Sequence, residues 1–388
     1  MPVFLVFAAC AFASGFALRV IDPLVLPVAG HFAVSPAAAA LLTTAYALPY
    51  ALAQPLLGPL GDRFGKMRCI QVCVAALALM LAAGAFAPSF GTLFAARIAA
   101  GFFAGGLIPL VIAGLGDTYD MSERQVMIGR MLFAIISGQM LGSVVSGFAN
   151  DAFGWRSALL IATGIGVAAA AVSWLGRPAA QGAARTESGS IAVLYGRVLA
   201  NAKSLWLIAG VAVEGAFFYG LFPYMGELLL ATAGASPASI AAESGMVLGA
   251  FGIGGLLYAL SVRLLLRRLG VRRLCLVGSA VAAAGYAALA FAPSWPLAAL
   301  AMLLAGFSFY MLHNSLQTEA TELAPSARGS AVALFACGFF LGQGLGPLIF
   351  GALLHGVGPR PALVAVAAVI VVLGRMLVLR VIDRPAPA

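Results

Sequence analysis

GPLGDRFGKMR, residues 58–68, packs three glycines, one acid and three bases into eleven residues of a chain in which only 9% of residues are charged. It stands between two apolar runs, 38–58 and 69–88. A bilayer crossing takes about 20 apolar residues. Two such runs joined by a short basic segment read as two membrane helices and the turn between them.

The pattern repeats outward in both directions. The 388 residues are 63% hydrophobic, against roughly half in a soluble protein, where about a quarter of residues are charged. Apolar runs place helices at 3–30, 38–58, 69–88, 91–116, 126–149, 156–175, 204–231, 240–262, 274–292, 295–318, 330–354 and 361–380. Alternating barrel strands are absent from the pattern. The expected class is an all-α integral membrane protein with twelve spanning helices. The N-terminus lacks the basic region and cleavage site of a signal peptide and reads as the first helix.

The net charge of +9 is distributed, not clustered for nucleic acid. With residue 1 on the cytoplasmic side, 17 of the 22 Lys and Arg fall in cytoplasmic segments, two (Arg156, Arg360) on the opposite side, and three (Arg19, Arg97, Arg375) within helices. Such a bias puts both termini in the cytoplasm. The five cysteines lie in or at helices, so no disulfide framework is expected.

The sequence also repeats internally. FAPSF at 86–90 recurs as FAPSW at 291–295, and Gly101 recurs as Gly306. GDRFG (61–65) meets LRRLG (266–270), and GQMLG (138–142) meets GQGLG (342–346). The last of these matches is at an offset of 204 and the others are at 205; at 205, AFASGF (11–16) meets AFFYGL (216–221), which sets Asp22 opposite Glu227. Two six-helix halves follow, 1–175 and 204–388, joined by a polar cytoplasmic linker at 176–203. Repeated halves are a hallmark of secondary transporters, whose site lies near the midplane between the repeats.

These residues support a family. GPLGDRFGKMR resembles the loop 2–3 signature of the major facilitator superfamily, G-x-L-a-D-R-x-G-[RK]-[RK]. FAARIAAGFFAGG (94–106) resembles its helix 4 motif, through Arg97, Gly101 and Gly105. GQMLGSVVSG (138–147) resembles the helix 5 antiporter motif, through Gly138, Gly142 and Gly147, with Ser143 where the family has Pro. The resemblance implies the major facilitator fold. It implies a conformational latch at Gly58, Asp62, Arg63, Gly65 and Lys66, in which Asp62 holds the halves together on the cytoplasmic side. The glycine spacings also suit close helix packing.

Ionisable groups within spanning helices are functional candidates by default. Arg19 and Asp22 can pair at i,i+3, and Arg97 falls at a similar outer depth, so a triad of the three is expected. Glu214, in the seventh predicted helix, has no base within a turn of its own helix. It is a candidate proton carrier or binder of a cation. Together Asp22, Glu214, Arg19 and Arg97 are the candidates for proton coupling. Phe218, Tyr219 and Phe222 beside Glu214, with Gln139, His313, Asn314 and Gln343, are the candidates for the substrate cavity. Packing and helix-bridging roles remain open for each of them.

No phosphate loop, HExxH or GxSxG motif occurs, so neither enzyme chemistry, nor a metal, nor a bound cofactor is expected. The proton gradient is the expected energy source. The reading is a monomeric, proton-coupled exporter of small amphipathic compounds in a bacterial inner membrane, resembling the drug–proton antiporter branch. The partners are a small-molecule substrate, protons and the bilayer, with no nucleic acid. A sugar or metabolite exporter, a proton-driven uptake symporter, and a membrane sensor or scaffold remain the alternatives.

Overall fold

The computed structural model describes residues 3–176, 191–324 and 328–383. Among these residues every regular element is helical. The first span is α1 (Val3–Arg19), a 3-10 turn (Asp22–Leu24) and α2 (Val25–Phe32). Then come α3 (Pro36–Phe64), α4 (Lys66–Ala85), α5 (Phe90–Thr118), α6 (Met121–Phe153) and α7 (Trp155–Leu175). A short helix, α8 (Ile191–Leu199), precedes the second half. That half opens with α9 (Ser204–Tyr219), a 3-10 turn (Phe222–Tyr224) and α10 (Met225–Thr232). It continues with α11 (Ile240–Ala290), α12 (Trp295–Glu322), α13 (Arg328–Val357) and α14 (Pro359–Leu377).

Eleven of these stretches are long and apolar enough to span a membrane, and α11, at 51 residues, is one of them. Gly270 at φ +68 breaks α11 into two, so the twelve expected spans are accounted for. Several run past the expected ends. α6, for example, begins at Met121 and not 126, because helices continue beyond the hydrocarbon layer into segments with charges that a hydropathy reading excludes. α8 lies where a plain linker was expected. Half of that linker, 177–190, is outside the described residues.

Proline explains the breaks in the first and seventh spans. Pro23 and Pro223 sit in the two 3-10 turns. A proline has no N–H and cannot continue the α-helical ladder. Each break exposes the polar end of a helix inside the bundle, at Arg19 and Tyr219.

The breaks also correct the repeat. Pro23 falls on Pro223, and Gly15 on Gly215, an offset of 200. Gly15 faces the backbone of Ile135 and Gln139, and Gly215 faces that of Phe339 and Gln343. Asp22 therefore matches Phe222, not Glu227, and Glu214 matches Ser14. After the first span the offset becomes 205, as Gly65 (φ +92) and Gly270 (φ +68) show, and it is 204 at Gly138 and Gly342. The second half has the longer connection between its first two spans: seven residues separate α10 from α11 and three separate α2 from α3.

Within each half, glycines let the backbones touch. A Cβ at Gly101 would run into the Tyr46 carbonyl, and one at Gly306 into the Phe251 carbonyl, the equivalent place. Gly105 faces Tyr50, Gly138 faces Phe12, and Gly142 faces Phe16 in the same way.

The halves interlock along two seams. On one, Gly147 of α6 meets the Ala241 carbonyl of α11, and Gly245 and Gly252 of α11 meet Ser143 and Met140 of α6. The Asp151 carboxylate accepts the Ala242 backbone N–H at 3.2 Å, capping the start of α11 across the seam. On the other, Thr44 Oγ1 of α3 donates to the Gly344 carbonyl of α13 at 2.8 Å. The Tyr50 and Phe340 rings meet at 4.3 Å. These contacts run from the face away from the basic loops down to about mid-depth.

Candidate functional site

A cavity lies between the halves. Arg19, Ile136, Gln139, Met140, Ser143, Tyr219, Phe222, Leu248, Phe251, Gly252 and Tyr310 line it. Both halves contribute, and both broken spans reach it. Its walls are mainly apolar and aromatic, with polar atoms from Arg19, Gln139, Ser143 and Tyr310.

Arg19 is buried at 2% exposure. Its Nη1 lies 3.4 Å from Asp22 Oδ2. Its Nη2 donates to Gln343 Oε1 at 2.6 Å, across the interface. The guanidinium stacks 4.2 Å from the Tyr219 ring centre and 4.9 Å from that of Phe222. Such contacts stabilise a desolvated cation by about 2 kcal/mol or more. Its Nε has no hydrogen-bond partner. Asp22 takes its shorter bond from Thr43 Oγ1, at 2.8 Å.

Within the expected triad, Arg97 acts on Asp22 through its charge and places its hydrogen bonds elsewhere. Its guanidinium donates to the backbone carbonyls of Ala17 at 3.1 Å and Leu42 at 3.4 Å, and lies 4.1 Å over the Tyr46 ring. Asp22 is occupied by Thr43 and Arg19. The carbonyls of α1 and α3 therefore serve where a second carboxylate contact was expected.

Glu214 has a partner that its own helix did not reveal. It is fully buried, and His313 Nδ1 of α12 lies 2.8 Å from its Oε2. Oε1 has no partner. The imidazole stacks on Phe309 at 5.0 Å and packs against Phe335 and Phe339 at 5.2 and 4.6 Å. Phe309 in turn meets Tyr219 at 5.2 Å. A carboxyl–imidazole pair can hold its proton on either group, and here it stands one aromatic ring from the cavity wall.

Of the residues expected in the cavity, Tyr219, Phe222 and Gln139 line it. Phe218 points away, into the core with Tyr286 and Phe309, since it lies next to Tyr219 and so faces another side of the helix. His313 is taken by Glu214. Asn314 donates to the Tyr258 hydroxyl at 3.0 Å. Gln343 bridges the halves to Arg19. Thr43, Tyr46, Phe251, Tyr310 and Asp151 were missed. Isolated hydroxyls and rings in apolar runs were the available signal, but nothing distinguishes them from packing residues until partners are known.

In the basic stretch, Lys66 Nζ and Asp117 Oδ2 pair at 2.5 Å within the first half. Arg63 is exposed beside the Phe64 ring, at 5.3 Å. Gly65 forms the joint of α3 and α4. The side chains at 58 and 62 are outside the described part of the structure, so the expected Asp62 latch falls there. An acid capping a helix across the halves does occur, but at the opposite face: it is Asp151. Gly147 joins the two halves and not two helices of one half.

The chain matches the model of the Major Facilitator Superfamily over residues 7–328. The uncharacterized MFS-type transporter YceJ of Bacillus subtilis is 23% identical over 371 residues, covering 96% of this chain and 94% of that protein. The multidrug efflux pump LfrA of Mycolicibacterium smegmatis is 32% identical over 121 residues, 31% of this chain and 24% of that pump. The fatty acid resistance protein FarB of Neisseria gonorrhoeae is 24% identical over 147 residues, 38% of this chain and 29% of that protein. Among solved structures, the nucleoside transporter NupG superposes with a TM-score of 0.79 at 16% identity, covering 99% of this chain and 100% of that one. An inward-facing, unoccupied bacterial homolog of the human lysosomal transporter Spinster superposes with a TM-score of 0.76 at 20% identity, covering 100% and 98%. The twelve spans, the repeated halves and the match across most of the length place this chain in the Major Facilitator Superfamily.

Proposed function

We propose that this protein is a proton-coupled secondary transporter that exports small amphipathic compounds across a bacterial inner membrane by alternating access. The observation that carries this reading is the buried Glu214–His313 pair, separated by the Phe309 and Tyr219 rings from an apolar, aromatic cavity between the halves. A proton exchanged at the pair changes the charge beside the cavity, which biases one conformation over another. The basic loops give the cytoplasmic face. The described seams between the halves then lie on the external side. In the external-open state the seams at Gly147–Ala241 and Thr44–Gly344 separate, and substrate leaves.

The partial matches to the efflux pump and the fatty acid resistance protein agree with an amphipathic cargo. No bound cofactor enters this account. The proton gradient supplies the energy.

The test uses efflux-deficient cells that express the protein. Accumulation of a fluorescent fatty acid analogue and of ethidium is followed with and without a protonophore. Lower accumulation of at least one probe, restored by the protonophore, is the expected result. Unchanged accumulation of both in well-expressing cells removes the amphipathic-export reading. Raised accumulation reverses its direction.

A further inference from the structure

We infer that the cavity selects amphipathic anions, and that Arg19 is the group that takes the substrate's carboxylate or an equivalent acidic head. This inference rests on the proposed transport of amphipathic compounds and names their charge.

The argument begins with the buried charge. Arg19 and Arg97 are both 2% exposed and Asp22 is 1% exposed. Two guanidiniums thus share one carboxylate. Arg97 donates to two backbone carbonyls, which carry no charge to cancel its own, and its Nη2 has no partner. In the singly protonated state of the proposed cycle the Glu214–His313 pair is neutral and leaves this balance unchanged. The region around the cavity therefore holds one uncompensated positive charge. A buried charge without a counter-charge is costly, and an anionic ligand is the partner that relieves it.

Geometry decides which arginine receives the anion. Arg19 lines the cavity and Arg97 does not. Arg19 holds Asp22 through one nitrogen at 3.4 Å, longer than the 2.7–2.9 Å of a strong charge-assisted bond. Its Nη2 is held by a neutral amide, Gln343. Its Nε is buried and unpartnered. Nε and Nη2 form one edge of the guanidinium, so a carboxylate that displaces the Gln343 amide meets that edge bidentately. The Tyr219 and Phe222 rings hold its plane fixed. Gln139 adds a polar contact beside it, while Ile136, Met140, Leu248 and Phe251 supply apolar wall for a tail. No carboxylate lines the cavity among the described residues, so a cationic head finds no counter-ion there.

The test is equilibrium binding to the purified full-length protein in nanodiscs. The probes are tritiated decanoate and tritiated decyltrimethylammonium, which share a ten-carbon chain and differ in head charge. Excess unlabelled probe defines specific binding. Wild type is expected to bind decanoate at least tenfold more tightly than the cation. Arg19→Gln is expected to lose decanoate binding, and Arg19→Lys to keep part of it. Gln139→Glu adds one negative charge without removing Arg19 or changing side-chain volume. It is expected to weaken decanoate at least tenfold and to strengthen the cation, so the inference stays testable even where Arg19→Gln does not fold. Tighter binding of the cation by wild type, or unchanged decanoate binding in folded Gln139→Glu and Arg19→Lys, overturns the anion assignment and leaves amphipathic transport standing. Binding of neither probe to monodisperse wild type counts against the amphipathic reading itself, and the anion assignment falls with it.

Discussion

The N-terminal and C-terminal halves share their joints and differ in what they bury. Gly65 and Gly270, Gly101 and Gly306, Pro23 and Pro223 occupy equivalent places and do equivalent work. The polar groups do not repeat. Where the first half has Arg19 and Asp22, the second has Tyr219 and Phe222; where the second has Glu214, the first has Ser14. Arg19 even stacks on the ring that holds its own position in the other half. One half thus presents fixed charge, since an arginine does not lose its proton in a protein. The other presents a pair whose proton can move. Duplication supplied the scaffold, and divergence at a few positions around the broken helices supplied two different electrostatic devices.

The largest effect is expected from removing the fixed acid. Asp22→Leu leaves the Arg19 guanidinium buried with no carboxylate, a change that costs about 3–5 kcal/mol in buried ion pairs. Glu214→Gln leaves a neutral amide against a neutral imidazole and is expected to cost about 1 kcal/mol. Thermal unfolding of the purified variants checks both. Equal losses would erase the distinction between fixed and movable charge.

The shared joints make the next prediction. Gly101→Ala and Gly306→Ala each drive a methyl into a facing carbonyl, and overpacking of this kind costs about 1–3 kcal/mol. The two variants are expected to lose stability by matching amounts in the same unfolding measurement. A large inequality would show that the halves do not pack alike at this contact.

The smallest effect concerns the seams. Thr44→Val removes the hydrogen bond to the Gly344 carbonyl, a contribution of about 1 kcal/mol. It is expected to shift the conformational equilibrium several-fold toward separation on that face while leaving stability nearly unchanged. Spin labels at Phe153 and Ala238, exposed positions on either side of the interlocked face, read this as a larger population of long distances. An unchanged distance distribution would assign the closure to the glycine contacts alone.

Much of the scaffold was legible because bilayer physics is coarse. Length, hydropathy and the placing of charge identify spans without any knowledge of partners, and Gly101 and Gly138 could be read as close helix contacts from spacing. The repeat was legible except in its first span. There the chance likeness of AFASGF to AFFYGL hid the Pro23–Pro223 match, which lies at an offset of 200 and not the 205 of the spans that follow. The candidate site was half legible. Arg19 with Asp22 followed from i,i+3 geometry on one helix. Glu214 with His313, and Arg19 with Gln343, join residues 99 and 324 positions apart, and no local pattern encodes such pairs. Asp151 was hidden for the same reason: its partner is the start of a helix in the other half.

The most direct test of the account is ΔpH-driven transport in proteoliposomes, using the probe that cells expressing the protein export. Wild type and Glu214→Gln are compared at matched incorporation. The account predicts that wild type concentrates the probe when a proton gradient is imposed and stops when it is collapsed. Glu214→Gln is predicted to exchange the probe across the membrane at equilibrium without following the gradient. Gradient-driven accumulation by Glu214→Gln at the wild-type level, or wild-type transport indifferent to the gradient, would contradict it.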